Sequence, residues 1–365
     1  MTSIMRPYKQ VLTFLMEIIE QPDLAANSKL PSERMLAIKF KASRRSIRLA
    51  YETLIEQGLV VRIHGKGHFT TGNKTSSAKN DSPALKKIYF VVPFLKTQFT
   101  QNILNGVTDF CDEHTMDVSI KLSKCSVTKE ARYINSALSS DAKGIILFPI
   151  DNEPTSDELL KLSSNRFPIA VIDRYLKNID SSFISTDNYN AMIEAVKFLH
   201  AKNHRNILYL SPPISLATSV EERLNGYQDA IRTYFQEEVK NNVVTLPHFG
   251  HEEIFNAVSS FLKEHPETEV IITTGARENT DAVISAVQSL NLSIPKDIKL
   301  MTFDCDFSST EIALFRPYVI KQDAYQIGYK SAAALYNQIY GDLRTETIRL
   351  PVSIIDYSEN KTNST

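Results

Sequence analysis

Two hydrophobic periods divide this chain. Up to about residue 72 the apolar positions follow helical spacing. Val11, Leu12, Leu15, Ile18 and Ile19 recur every three or four residues, which predicts an amphipathic helix. Met35, Leu36, Ile38 and Phe40 follow Ser32, and Ile47, Ala50, Tyr51, Leu54 and Ile55 follow Ser43. Each serine stands where an N-cap accepts from first-turn amides. Gly58 is a C-terminal stop, after which 59–63 and 68–71 read as two short strands joined by His64-Gly65-Lys66-Gly67.

From Ile88 the period changes. Short apolar runs at 88–92, 118–120, 144–148, 169–172, 207–210, 270–273 and 298–303 alternate with amphipathic stretches at 101–114, 128–140, 156–164, 189–202, 221–237, 279–290 and 323–340. Repeated strand and helix units of this kind predict an α/β body whose parallel sheets are covered by helices on both faces. The body is long for one doubly wound sheet, so two lobes with a cleft between them are expected. Between the two periods, NKTSSAKNDSPALKK (73–87) has no apolar repeat and reads as a flexible linker. The domains expected are therefore 1–72, a tether at 73–87, and 88–365.

Composition sharpens this division. With 365 residues, 42% hydrophobic and 23% charged, the chain is that of an ordinary soluble protein. No run approaches the roughly 18 apolar residues that would span a bilayer. Cys111, Cys125 and Cys305 show no C-x-x-C spacing, so reduced thiols in the cytoplasm are expected. The net charge of -1 conceals an asymmetry. Residues 1–72 hold eleven Lys and Arg against six acids, a net of +5, and the remainder carries -6. A basic end on an acidic body implies one polyanionic partner at that end, and double-stranded DNA is the leading candidate.

The segment 30–71 has the form of a helix-turn-helix with a wing. Its second helix opens with Arg44 and Arg45 and continues to Arg48. Positive charge in a first helical turn opposes the helix dipole at about 0.3–1 kcal/mol per residue, and a bound phosphate would offset that cost. LPSERMLAIKF (30–40), SRRSIRLAYETLIEQGLV (43–60) and HGKGHF (64–69) resemble the winged helix-turn-helix of the GntR family. The resemblance implies Arg34 on a phosphate, Arg44, Arg45, Ser46 and Arg48 at the groove, and His64 and Gly65 on the wing.

Catalytic patterns are missing from the body. The sole G-x-G lies in the wing, there is no G-x-S-x-G, and His251-Glu252 lacks a second His at 255. No metal site or cofactor is expected. IYFVVPF (88–94), GIILFPI (144–150), PIAVIDR (168–174), RLNGY (223–227), SLNLSIPKDIKLMTFD (289–304) and IKQDAYQIG (320–328) resemble the sugar-binding domain of the LacI/GalR repressors, which has the periplasmic-binding-protein fold. By position, the resemblance implies Arg223, Asp304 and Gln322 on ligand hydroxyls, with Asp173 and Arg174 as further candidates. Phe94 and Phe99, in the loop after the first strand, are candidate aromatic platforms, since the chain has no Trp. Gly275-Ala276-Arg277 and Cys305 stand where these repressors usually carry an Asn-Asp pair and a second Asp.

The function expected is a homodimeric, DNA-binding transcriptional repressor, not an enzyme, released by a small-molecule effector, most simply a monosaccharide, between the lobes. A purine, nucleoside or amino-acid effector is the alternative. An enzyme fused to a DNA-binding module would require a catalytic constellation, and a purely architectural DNA protein would have no use for a two-lobed body.

Overall fold

The computed structural model describes residues 7–19, 21, 24–25, 27–56, 58–63, 66–71, 86–150, 157–176, 179–213, 217–236, 242–246, 250–273, 277–341 and 343–359. It divides into two compact units, residues 1–85 and 86–365. His64, Gly65 and the linker positions 73–85 lie outside the described residues.

The first unit holds three helices and a two-stranded ribbon. Helix α1 (Pro7–Ile19) starts with proline, whose missing amide costs nothing in a first turn. It packs Val11 and Leu15 against Leu36 of α2 (Glu33–Phe40) and against Ile47, Ala50 and Leu54 of α3 (Arg44–Glu56). Both serine caps are present: Ser32 Oγ accepts from the Met35 amide and Ser43 Oγ from the Ser46 amide. Helix α2 stops at Lys41, which turns into left-handed backbone at φ 49. Gly58 does the same after α3, at φ 69, where a side chain would be strained. Strands β1 (Val60–Ile63) and β2 (Gly67–Thr70) pair antiparallel, from Val60 opposite Thr70 to Ile63 opposite Gly67. Of the apolar positions of α2, Leu36 is buried fully while Met35 and Ile38 are 51% and 71% exposed.

The second unit contains two six-stranded sheets. The chain builds β3 (Lys86–Val92), α4 (Gln98–Glu113), β4 (Met116–Leu122), α5 (Val127–Ser139), β5 (Gly144–Leu147), α6 (Asp157–Ser164), β6 (Ile169–Ile172) and β7 (Ser182–Thr186) for the first lobe. It then builds α7 (Asn188–Ala201), β8 (Ile207–Ser211), α8 (Thr218–Phe235), β9 (Val243–Thr245), α9 (His251–Glu264), β10 (Val270–Thr273), α10 (Arg277–Ser289), β11 (Lys299–Phe303), α11 (Ser309–Phe315) and β12 (Tyr318–Lys321) for the second. Helix α12 (Ala324–Tyr340) and β13 (Thr347–Leu350) return to the first lobe, and β14 (Ser353–Asp356) to the second. The sheet orders are β13-β7-β6-β5-β3-β4 and β14-β12-β11-β10-β8-β9. Every pairing in them is parallel except β12 with β14. The central strands are buried on both faces, which is why they read as unbroken apolar runs such as IAVI and VIIT. Strand β3 begins at Lys86, so the sheet takes the last two positions expected of the linker.

The lobes are joined by three crossings, at Asp187, at Gln322-Asp323 and at Pro351-Val352. The Asp187 amide donates to Leu350 O at 2.8 Å, and Thr186 Oγ1 to Gln322 Oε1 at 2.7 Å, so the crossings are bonded to one another. Each lobe also has a helix pair held at backbone contact. A Cβ on Gly328 of α12 would lie 1.9 Å from Ile103 O of α4, and one on Gly226 of α8 would lie 2.2 Å from Tyr189 O of α7. Only glycine fits at either place.

Candidate functional site: the interlobe cleft and the basic helix

Strand ends shape a cavity of about 390 Å³ between the lobes of the second unit. Apolar runs bring the chain to the carboxyl edge of each sheet, and the polar residues that follow β6, β11 and β12 line the gap. Asp173 follows β6 and Asp304 follows β11, and both adopt left-handed backbone, at φ 67 and φ 50. Aspartate tolerates that region better than most residues, and such conformations concentrate at ligand sites. Arg174, next to Asp173, donates from Nη1 to Pro149 O at 2.9 Å and pairs through Nε with Asp173 Oδ2 at 3.4 Å.

The polar centre of the cleft is organised by Gln322, which follows β12 and is 6% exposed. Its backbone amide donates to Asp304 Oδ1 at 3.1 Å and its Nε2 to Asp304 Oδ2 at 2.7 Å. On the other side its Oε1 accepts from Thr186 Oγ1 and from Arg223 Nη2 at 3.4 Å. Arg223, on α8, donates from Nε to Asn188 Oδ1 at 2.7 Å and lies with its guanidinium 3.8 Å from the Phe303 ring centroid. Arg223 makes no ion pair with the neighbouring Glu222, which pairs instead with Arg349 of β13 at 2.8 Å.

The electrostatics follow from this burial. Desolvation lowers the Arg223 pKa, opposed first by Asp173, yet a guanidinium stays charged at neutral pH. Desolvation likewise raises that of Asp304, opposed by its two hydrogen bonds from Gln322. An acid and a base thus stand in one partly dry cavity, each bonded to the same neutral amide.

All seven positions expected at the ligand line this cavity: Phe94, Phe99, Asp173, Arg174, Arg223, Asp304 and Gln322. Phe99 corrects its expected location, for it lies in the first turn of α4 rather than in a loop. Thr97 caps that helix, accepting from the Thr100 amide, and so starts it earlier than the apolar period alone. Phe99 meets Phe148 edge-on at 6.5 Å. Unexpected lining residues include Phe148, Ser219, Asn279, Thr302, Phe303 and Asp306. Phe148 and Phe303 flank strand ends and were visible in the apolar runs; Ser219 and Asn279 sit on helices without a sequence signal. Arg277 also lines the cavity, but its donors go to Asp281 Oδ1, to Asp306 O and to Glu311. Hydrogen bonds from Ser308 and then from Arg277 hold the Glu311 carboxyl down at about 2. Arg277 is therefore a strut for the 305–311 segment.

In the first unit, Arg34 and Arg44 are exposed, and Arg48 is 60% exposed with Nε donating to Glu33 Oε2 at 3.1 Å. Ser46 shares a hydrogen bond with Ser43 at 2.9 Å. Arg45 belongs to α3, but its side chain lies outside the described residues. Tyr51, one turn beyond Arg48, stacks on His68 of β2 with ring centroids 3.8 Å apart, joining the second helix to the wing.

Comparison with protein families decides the class. Residues 85–361 match the family of periplasmic binding proteins and sugar-binding domains of the LacI family. The chain belongs to that family. This LacI-type protein also matches, over residues 7–69, the gntR family of bacterial regulatory proteins, and it is a transcriptional regulator rather than an enzyme. Among curated relatives of the regulator, the HTH-type transcriptional regulator KdgR of Bacillus subtilis is 25% identical over 74% of this chain and 79% of its own. The arabinose metabolism transcriptional repressor of Geobacillus stearothermophilus is 21% identical over 91% of both chains. Among solved structures, the transcription regulator CcpA of Lactococcus lactis aligns with a TM-score of 0.64 at 17% identity, over 74% of this chain and 98% of that one. A periplasmic binding protein/LacI regulator from Alkaliphilus metalliredigens, complexed with D-xylulofuranose, aligns with a TM-score of 0.61 at 19% identity, over 74% and 97%. These likenesses fix the fold of the second unit. Among the described residues no helix is long and apolar enough to cross a membrane.

Proposed function

We propose that this regulator binds operator DNA as a cytoplasmic homodimer and that a monosaccharide seated between its lobes controls the binding. Residues 1–72 read the DNA, 73–87 tether them, and 88–365 sense the effector and dimerise. Arg34 meets a phosphate, while Arg44, Arg45, Ser46 and Arg48 enter the groove, with His64 and Gly65 on the wing. Phosphate contacts set affinity and base contacts set specificity.

One observation carries the effector half: Gln322 holds the charged ends of Arg223 and Asp304 in the same cavity without letting them pair directly. A neutral ligand with adjacent hydroxyls suits that gap, because each hydroxyl can accept from the guanidinium and donate to the carboxylate. Asp173 and Arg174 offer a second acceptor and donor, and Phe94 and Phe99 an apolar face. The 390 Å³ volume is within the range of small-molecule sites, roughly 300–1,000 Å³. Arg277, which stands where these repressors usually carry an Asn-Asp pair, is already engaged by Asp281 and Glu311, which favours the sugar over a purine, nucleoside or amino acid.

Effector binding would close the lobes about the three crossings, and the second unit would pass the change to the DNA-reading pair with a coupling of about 1–3 kcal/mol. The test is a thermal-shift screen of the full chain against monosaccharides, sugar phosphates, nucleosides and amino acids, followed by DNA-binding titration with the hit. A ligand at 100 times its Kd adds about 2.7 kcal/mol. A sugar that raises Tm and weakens binding to DNA supports the reading; a shift with nucleosides alone overturns the sugar assignment.

A further inference from the structure

We propose that Glu33 is a positioning residue for base recognition, holding Arg48 so that its terminal nitrogens are presented as a fixed fork. The inference rests on the reading of the first unit as a DNA-binding module and goes beyond it by assigning a role to an acid that lies among arginines meant for a polyanion. An exposed carboxylate there should weaken DNA binding, so its place requires a reason.

The geometry supplies one. Glu33 is the first residue of α2, after the Ser32 cap, and its side chain is 24% exposed against 60% for Arg48. Its Oε2 takes only the Nε hydrogen of Arg48, at 3.1 Å. No described residue accepts from Nη1 or Nη2. A guanidinium tied at Nε keeps its far edge free, and two parallel donors on that edge match the O6 and N7 acceptors of guanine. Left alone, an arginine of this exposure samples many rotamers, and binding would have to order it.

The same segment grips α3 a second time. Tyr51 donates its hydroxyl hydrogen to Pro31 O, two residues before Glu33, and its ring is stacked on His68. Segment 31–33 thus holds two successive turns of the recognition helix, Pro31 O accepting from the Tyr51 hydroxyl and the Glu33 carboxylate from Arg48. An isolated surface ion pair adds little to stability, so the pair is of little use to the fold. Its effect falls on DNA discrimination.

The experiment uses the full chain and two duplexes: one that the wild-type protein itself enriches from a randomised library, and a shuffled version of it. Affinities are measured at one salt concentration for wild type, E33A, E33Q, R48A and the double variant E33A/R48A. E33A is expected to bind the selected duplex about tenfold more weakly, within the range for one bidentate base contact, and the shuffled duplex equally or more tightly. E33Q, which keeps an acceptor oxygen, should recover most of the discrimination. In the R48A background E33A should change nothing further. Equal weakening on both duplexes, tighter binding of E33A to the selected duplex, or additive effects of E33A and R48A would overturn the proposal. If the wild-type protein enriches no sequence, the DNA-reading assignment fails, and the positioning role with it.

Discussion

Replacing Gln322 by Leu removes the amide on which both the cleft and the crossings depend, while nearly preserving its volume. Thr186, 1% exposed, loses the acceptor of its hydroxyl, at a cost of about 1–3 kcal/mol. Asp304 keeps the bond from the backbone amide but loses the one from Nε2, and because it lines the cavity, water replaces part of that loss. The net destabilisation is about 2–3 kcal/mol. For a unit as large as residues 86–365, with an unfolding entropy of about 2.1 cal/mol/K per residue, this lowers Tm by about 4 °C. Differential scanning calorimetry reads it directly, and the stabilising response to the effector sugar should vanish in the same variant. Gln322→Glu is the companion. It retains an acceptor for Thr186 and Arg223 but sets a second carboxylate against Asp304, whose pKa burial already raises. A carboxyl whose folded pKa is raised stabilises at low pH and loses that contribution as pH climbs through it, so this variant should gain in Tm between pH 7 and pH 5 relative to wild type. If Gln322→Leu melts within about 1 °C of wild type and still responds to the sugar, the network carries neither stability nor recognition.

Three further outcomes follow from other parts of the molecule. Gly328→Ala places a Cβ 1.9 Å from Ile103 O, so α12 must leave α4; a loss of about 3 kcal/mol or more is expected in urea unfolding, and a loss below 1 kcal/mol would show that the helices slide freely. Cys305 lines the cleft while Cys125 is exposed elsewhere and Cys111 is buried, so in a Cys125→Ser background bound sugar should slow alkylation of Cys305 several-fold; unchanged kinetics would place the sugar elsewhere. Burial lowers the pKa of His68, with Glu33 opposing and Arg62 assisting, so the unfolded chain binds the proton more readily and the first unit should lose stability as pH falls below about 6.5. Calorimetry of His68→Phe, which keeps a ring against Tyr51, should show a flatter pH dependence of the first transition, and equal slopes would exclude His68 as the source.

Residues with a local cause were legible in the sequence. Strands β6 and β10 lie where IAVI and VIIT placed them, because a strand buried on both faces must be apolar throughout. Asp173, Asp304 and Gln322 come through the resemblance to the LacI/GalR sugar-binding domain; the first two also follow runs that read as strands, whereas β12, which Gln322 follows, does not read as one. Strand β7 escaped notice: SFIST carries three hydroxyls, yet all five residues are buried, since Ser182 is bonded by Gln338, Ser185 by the Thr186 carbonyl and Thr186 by Gln322. Edge strands β13 and β14 bury little and leave no unbroken run. Thr186 and Asn188, the partners of Gln322 and Arg223, are distant in sequence from the groups they hold, and only the crossings bring them together. The Glu33 and Arg48 pair was hidden likewise, since it spans two helices.

The return of the chain through β13 and then β14 bears on how the protein is made. One stretch, 347–356, supplies an outer strand to both sheets, to β7 in one lobe and to β12 in the other. During synthesis the three helices and ribbon of the first unit can fold as soon as they emerge, because their partners are all close in sequence. The sensor cannot: each of its sheets waits for residues made more than 250 positions after β3 begins. A polypeptide released early would carry the folded first unit without an effector cleft and without the body assigned to pairing. Nonsense or frameshift lesions between β3 and β13 are therefore expected to leave a folded first unit and no effector response, wherever the truncated protein survives proteolysis.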